Sequence, residues 1–228
     1  MAMVYAAAAV TVIRQRSSRL LLVALVASAI NSGCRDPELP QLNAGIPLRS
    51  ECPASASDEY YFPEASIIPW SNSWDRKERE ILSSNLRAAK ETSLSCGLQP
   101  DEGYRVQWGG GYQEPLIVAS VARNGSDWTV TATEFARIQP YLVTSSSSRA
   151  LQPKAAATIA AALNDATFWT TRVMDTTQGE GTIWLIEARQ GRYRAVIRVQ
   201  PETAFARAAQ LIVRLSGMQV PEKMKVSD

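Results

Sequence analysis

Two hydrophobic periods divide the chain beyond residue 72. Ile81, Leu82, Leu86 and Ala89 recur at helical spacing behind Ser73, a good cap, and the acidic Asp75, Glu78 and Glu80. They predict a helix over residues 73–92, stopped by Cys96-Gly97. Ala156, Ile159, Ala160 and Leu163 mark a second helix, opened by Pro153 at its first turn, with Phe168 and Trp169 closing its end against a sheet. Phe205, Ala208, Leu211, Ile212 and Leu215 mark a third, introduced by Pro201 and ended by Gly217.

Period two predicts the strands. Residues 104–108 form one, ended by Gly109-Gly110-Gly111, and residues 115–123 and 128–135 form a hairpin around Asn124-Gly125. In its second arm Trp128, Val130 and Ala132 alternate with Thr129, Thr131 and Thr133, so one face is buried and the other wet. Residues 182–199 form a further hairpin around Gln190-Gly191. A two-residue turn there sets Ala188 against Tyr193, Ile186 against Ala195 and Trp184 against Ile197 on an apolar face. The other face then carries Glu187 against Arg194 and Arg189 against Arg192, with Arg198 near Ile183. The expected architecture is α+β: a small antiparallel sheet of about five strands against two to three helices. The expected order is helix, three strands, helix, hairpin, helix. Residues 145–148, all serine, read as a linker, and residues 218–228 as a frayed tail.

Upstream, Pro37, Pro40, Pro47, Pro53, Pro63 and Pro69 fall too close together for regular structure, so residues 34–72 read as a tether and an irregular collar before a globular domain at 73–217. Tyr60, Tyr61 and Phe62, with Ile67, Ile68 and Trp70, form its aromatic and aliphatic cluster. One reading folds the cluster back on the core; the other makes it an exposed recognition patch.

The first residues carry an address. Arg14-Gln15-Arg16-Ser17-Ser18-Arg19 precedes an apolar run from Leu20 to Ile30 and then Asn31-Ser32-Gly33-Cys34, the pattern of an export signal over residues 1–33. The run is too short to span a bilayer as a mature helix. Small residues before Cys34 resemble the lipobox of bacterial lipoproteins, in which that cysteine is lipidated, although Asn31 stands where Leu is usual. The alternative is cleavage after Ala27-Ser28-Ala29, giving a soluble periplasmic protein. Arg35, rather than Asp, after the cysteine points to the outer membrane. With Cys34 acylated, Cys52 and Cys96 remain, an even pair in an oxidising compartment, and are expected to form a disulfide; two separate buried thiols are the other reading.

Charge and composition narrow the chemistry. The whole chain carries 24 Lys and Arg against 22 Asp and Glu, but Arg14, Arg16 and Arg19 belong to the signal, so the remainder is nearly neutral. That gives no global case for nucleic acid. The chain contains 0 His, which excludes Ser-His-Asp and Cys-His catalysis and histidine-metal sites. No Ser-x-x-Lys, Asp-x-Asp or Cys-x-x-Cys spacing is present, and the glycine triplet lacks phosphate-loop spacing, so no cofactor or metal is expected. Asp175, Glu180 and Glu187 are the carboxylates closest to an acid-base arrangement, although acids in such places are usually solvated turn and sheet residues. Arg189, Arg192 and Arg194 could together hold a carboxylate or phosphate, read otherwise as a solvated sheet face.

Gly179-Glu180-Gly181, then Trp184-Leu185-Ile186-Glu187 and Gly191-Arg192-Tyr193-Arg194, resemble a group of uncharacterised bacterial envelope proteins in which a G-x-x-W-x-x-E segment precedes a G-R-Y hairpin. Asn85-Leu86-Arg87-Ala88 and Tyr104-Arg105-Val106-Gln107-Trp108 are similar to upstream elements of that group. The resemblance spans residues 75–217 and implies a compact domain with no known activity. The expectation is a non-catalytic, lipid-anchored envelope module that binds another envelope protein, with β-augmentation at a free sheet edge as one mode. A periplasmic inhibitor or immunity-type protein, using an exposed loop at 175–180 or 60–62, is the alternative. A carboxylate hydrolase is the second alternative.

Overall fold

Strands form where β-branched and aromatic residues alternate with small polar ones, but pairing with a neighbour also recruits segments that lack this alternation. The computed structural model describes residues 45–64, 66–67, 73–109, 114–136, 142–174, 182–199 and 201–225. The expectations for residues 1–33, Cys34, the tether to residue 44, Ile68, Trp70, Asp175 and Glu180 lie outside these. The strands are β1 (Ile46–Pro47), β2 (Glu102–Gly109), β3 (Leu116–Asn124), β4 (Asp127–Ala136), β5 (Leu142–Leu151), β6 (Ile183–Gln190) and β7 (Arg192–Arg198). The helices are α1 (Ser73–Ala88), α2 (Pro153–Asp165) and α3 (Thr203–Ser216). One sheet runs in the order β1-β7-β6-β2-β3-β4-β5, with every neighbouring pair antiparallel. The class is α+β as expected, with 7 strands among the described residues rather than about five.

The two additional strands have a common cause. β1 is a short cap on β7, pairing Ile46 with Tyr193, and no two-residue strand has a legible period. β5 contains the serine run expected as a linker. Ser145, Ser146, Ser147 and Ser148 stand opposite Glu134, Thr133, Ala132 and Thr131, so the ladder of β4 recruits them despite their low strand propensity.

The β6–β7 hairpin differs by one residue from expectation. Arg189 faces Tyr193, Ala188 faces Arg194 and Trp184 faces Arg198, across a three-residue turn with Gly191 in the left-handed region at φ 66°. Tyr193, Ala195 and Ile197 therefore join Leu185, Glu187 and Arg189, while Arg194, Val196 and Arg198 join Trp184, Ile186 and Ala188. The expected apolar and wet faces do not exist; both faces are buried.

One face packs under α2 and α3, with Val106, Trp108, Val121, Val130, Ile159, Leu163, Phe205 and Ile212 in its core. The other is covered over part of its width by α1 and the collar, through Tyr61, Phe62, Ile67, Leu82, Leu86, Leu185 and Ile197. Full burial of a Phe or Ile side chain is worth roughly 1.5–3 kcal/mol, so Phe62 and Ile67 make the collar part of the core. Cys52 and Cys96 form the expected disulfide, across a separation of 44 residues. The tail is docked as far as Met224, which is fully buried and whose carbonyl accepts from Gln210 Nε2 at 2.7 Å. That corrects the frayed tail for these residues.

Candidate functional site

The residues singled out in the sequence do not converge. Arg189 is buried on the collar side, donating from Nη1 to Cys96 O at 3.0 Å and from Nη2 to Gly97 O at 2.7 Å. Arg194 is buried on the helix side, where it donates to Thr171 O. Burial, then its neighbours Arg192 and Arg198, lower its pKa to about 10. Arg192 is exposed, its guanidinium 4.5 Å from the Trp169 ring centre. Arg189 and Arg194 are therefore structural side chains on opposite faces, not one anion site and not a solvated face. The expected Glu187–Arg194 pair is absent for the same reason, the shift in register.

The described part of the aromatic patch, Tyr60, Tyr61, Phe62 and Ile67, resolves toward the core. Tyr61 and Phe62 are buried and Tyr60 is half-buried, its carbonyl accepting from Ser93 Oγ at 2.6 Å. This removes the aromatic loop required by the inhibitor reading at 60–62.

Glu187 is fully buried and faces Arg105, also fully buried, with Oε2 3.0 Å from Arg105 Nε. Tyr193 OH donates to Glu187 Oε1 at 3.1 Å. Burial pushes the Glu187 carboxyl up, against the pull of Arg105. Arg105 is opposed by burial but held charged by Glu187 and Glu91. A carboxylate so enclosed has no access to a substrate, which corrects the acid-base candidacy of Glu187. Its function is to hold Arg105, and Arg105 in turn holds the chain that borders a groove: Arg105 Nη1 donates to Thr92 O at 2.9 Å and lies 3.7 Å from Glu91 Oε2.

That border begins where α1 stops. Lys90 occupies the left-handed region at φ 58°, Lys90 N donates to Arg87 O and Glu91 N donates to Leu86 O, each at 3.0 Å. This is the paired-bond helix stop in which glycine is usual, and a lysine there costs about 1 kcal/mol relative to glycine. The stop turns Glu91 toward the sheet. Ser120 Oγ donates to Glu91 Oε2 at 2.7 Å, Thr131 Oγ1 donates to Oε1 at 3.3 Å, and Tyr61 OH donates to the Glu91 carbonyl at 3.0 Å.

Beyond this border α1 and the collar no longer cover the sheet. The exposed part of the second face, over β3, β4 and β5, forms an open groove of about 450 Å³. Its floor is hydroxyl-bearing: Ser120, Thr129, Thr131, Thr133, Ser146 and Ser148. The side chains of Thr129, Thr133, Ser146 and Ser148 make no hydrogen bond to other described residues. Lys90 stands exposed at the rim.

No known family, curated protein or solved structure matches the chain.

The groove is therefore read from its own chemistry. Hydroxyls both donate and accept, and four of these bond to no other described residue. The lining contains no aromatic ring to stack a sugar, and a single exposed lysine beside a carboxylate is a poor anion site. Both Glu91 oxygens are engaged by hydroxyls, with Arg105 alongside, so the carboxylate shapes the floor. Among the described residues no group of three potential metal ligands is present. The Thr129-Thr131-Thr133 alternation was the one part of this site visible in the sequence; the serines that complete it were hidden in an apparent linker.

Proposed function

We propose that the chain is an exported, lipid-anchored envelope module without catalytic function that holds a polar segment of another envelope protein in the hydroxyl-lined groove. The observation that carries this reading is the groove itself: a volume within the usual range of ligand sites, with a hydroxyl-bearing floor in which the side chains of Thr129, Thr133, Ser146 and Ser148 make no hydrogen bond to other described residues. An extended peptide offers alternating donors and acceptors that match such a floor. The signal-like segment and Cys34 support export and anchoring, with the outer membrane as the destination. Near-neutral charge outside the signal supports a protein partner over nucleic acid.

The test is site-specific photo-crosslinking in intact cells. A crosslinker at Thr129 should join the chain to a polypeptide other than a second copy of itself, whereas one at Ala161, exposed on α2, should not. Capture from Ala161 alone, or a groove adduct that resists protease but yields to glycan hydrolases, would contradict the proposal.

A further inference from the structure

The sheet has two edges, treated differently. The β7 edge is capped by β1, which contains Pro47. The β5 edge is bare: no described segment pairs with its outer side. Edge strands are commonly blunted by proline, lysine or inward charge. β5 has no proline or lysine; what blunts it is slight, a register shift near its start and one charged residue, Arg149, directed to the helix side with Nε donating to Leu215 O at 2.8 Å. At its start Leu142 and Val143 are 66% and 48% exposed.

We infer that this edge pairs with the same edge of a second copy of the chain. The strand is self-complementary. β5 reads Leu-Val, then Thr-Ser-Ser-Ser-Ser-Arg, then Ala-Leu, so it has an apolar pair at each end and a polar centre. In an antiparallel pair, residues directly opposite must lie on the same face. Pairing with β4 sets those faces: Ser145, Ser147, Arg149 and Leu151 point to the helix side, and Ser146, Ser148 and Ala150 to the groove side. The register then shifts, because Glu134 faces Ser145 but Phe135 faces Val143, leaving Thr144 as an extra residue and placing Val143 on the groove side and Leu142 on the helix side.

A twofold axis through Ser147, perpendicular to the sheet, satisfies every one of these constraints. Ser146 then faces Ser148 of the second copy and Ser145 faces its Arg149. Past the extra Thr144, Val143 faces Ala150 and Leu142 faces Leu151, face matching face. The exposed apolar pair at one end is covered by the apolar pair at the other, and no like charges are directly opposed. This is an isologous contact that closes at two copies. Because the axis preserves faces, the two grooves adjoin and form one floor across the axis. The inference stands on the edge strand and does not require the binding role proposed above.

The test uses the full-length protein purified in detergent. Sedimentation velocity should show a concentration-dependent dimer. Val143→Lys, at an exposed position, should raise its dissociation constant about tenfold by placing a cation against an apolar partner. Mild oxidation of Ser147→Cys should give a crosslinked peptide joining position 147 to itself, at a rate about tenfold above that for Ser145→Cys, which the register sets away from its own copy. Mixing Ser146→Cys with Ser148→Cys should crosslink the two variants to each other. A monomer at all concentrations, a dimer indifferent to Val143→Lys, equal rates at 145 and 147, or another protein joined at 147 would each overturn the inference. None of these outcomes depends on whether the groove holds a partner.

Discussion

Lys90 stands in a backbone conformation that glycine adopts more cheaply, beside the groove and with its side chain in solvent. Lys90→Gly should therefore raise stability by about 0.5–1 kcal/mol in urea denaturation while weakening partner capture; a loss of stability would remove strain as the description of this site. The Arg105–Glu187 pair is the opposite case. Glu187→Gln leaves a fully buried guanidinium facing an amide, at a cost of about 3–5 kcal/mol, yet replacing both, Arg105→Met with Glu187→Leu, should cost less than either single change. Additive losses in the double variant would contradict this. Neither residue's role was legible beforehand. Glu187 and Arg105 sit where strand alternation reads as a solvent face, and only the collar, which has no periodicity, converts that face into an interior. The same covering buries Arg189, while Arg194 lies on the opposite face and is buried beside Phe168 and Thr171, so two residues that resembled one surface cluster are separate buried donors to carbonyls.

At the scale of elements, the collar owes its place to side chains and to one covalent bond. The Cys52–Cys96 disulfide closes a long loop, for which chain entropy gives roughly 4 kcal/mol, and Arg189 independently holds the carbonyls of Cys96 and Gly97. Replacing both cysteines by serine should lower stability by about 2–4 kcal/mol, with residues 91–97 losing hydrogen-exchange protection before the sheet does. Simultaneous loss across the molecule would show instead that the collar and sheet are one cooperative unit. The helices with regular apolar spacing were readable: Ala156, Ile159 and Leu163 of α2 and Phe205, Ala208 and Ile212 of α3 face inward as their periods require. Ends were less readable. α1 stops at Ala88 through Lys90, because the left-handed stop needs no glycine when neighbouring bonds enforce it. Gly109 is required for space rather than for flexibility alone: a Cβ there would meet Pro115 O at 2.5 Å.

For the molecule as a whole, antiparallel α+β character followed from alternating strands and three apolar helical stripes, but the sheet's width and edges did not. β5 joins through backbone pairing that four serines neither favour nor announce, and the groove exists only because β5 extends the sheet past the reach of α1. The candidate site is thus a product of topology more than of motif, visible in the sequence only as the threonines of β4. The most direct measurement is amine acylation of the native protein, comparing Lys90 at the groove rim with Lys154 on α2 in intact envelopes and after purification, quantified by mass spectrometry. Both lysines are exposed in the isolated chain. An occupied groove predicts that Lys90 is shielded in the envelope and recovers on purification while Lys154 reacts equally in both. Equal labelling of Lys90 before and after purification would contradict the account.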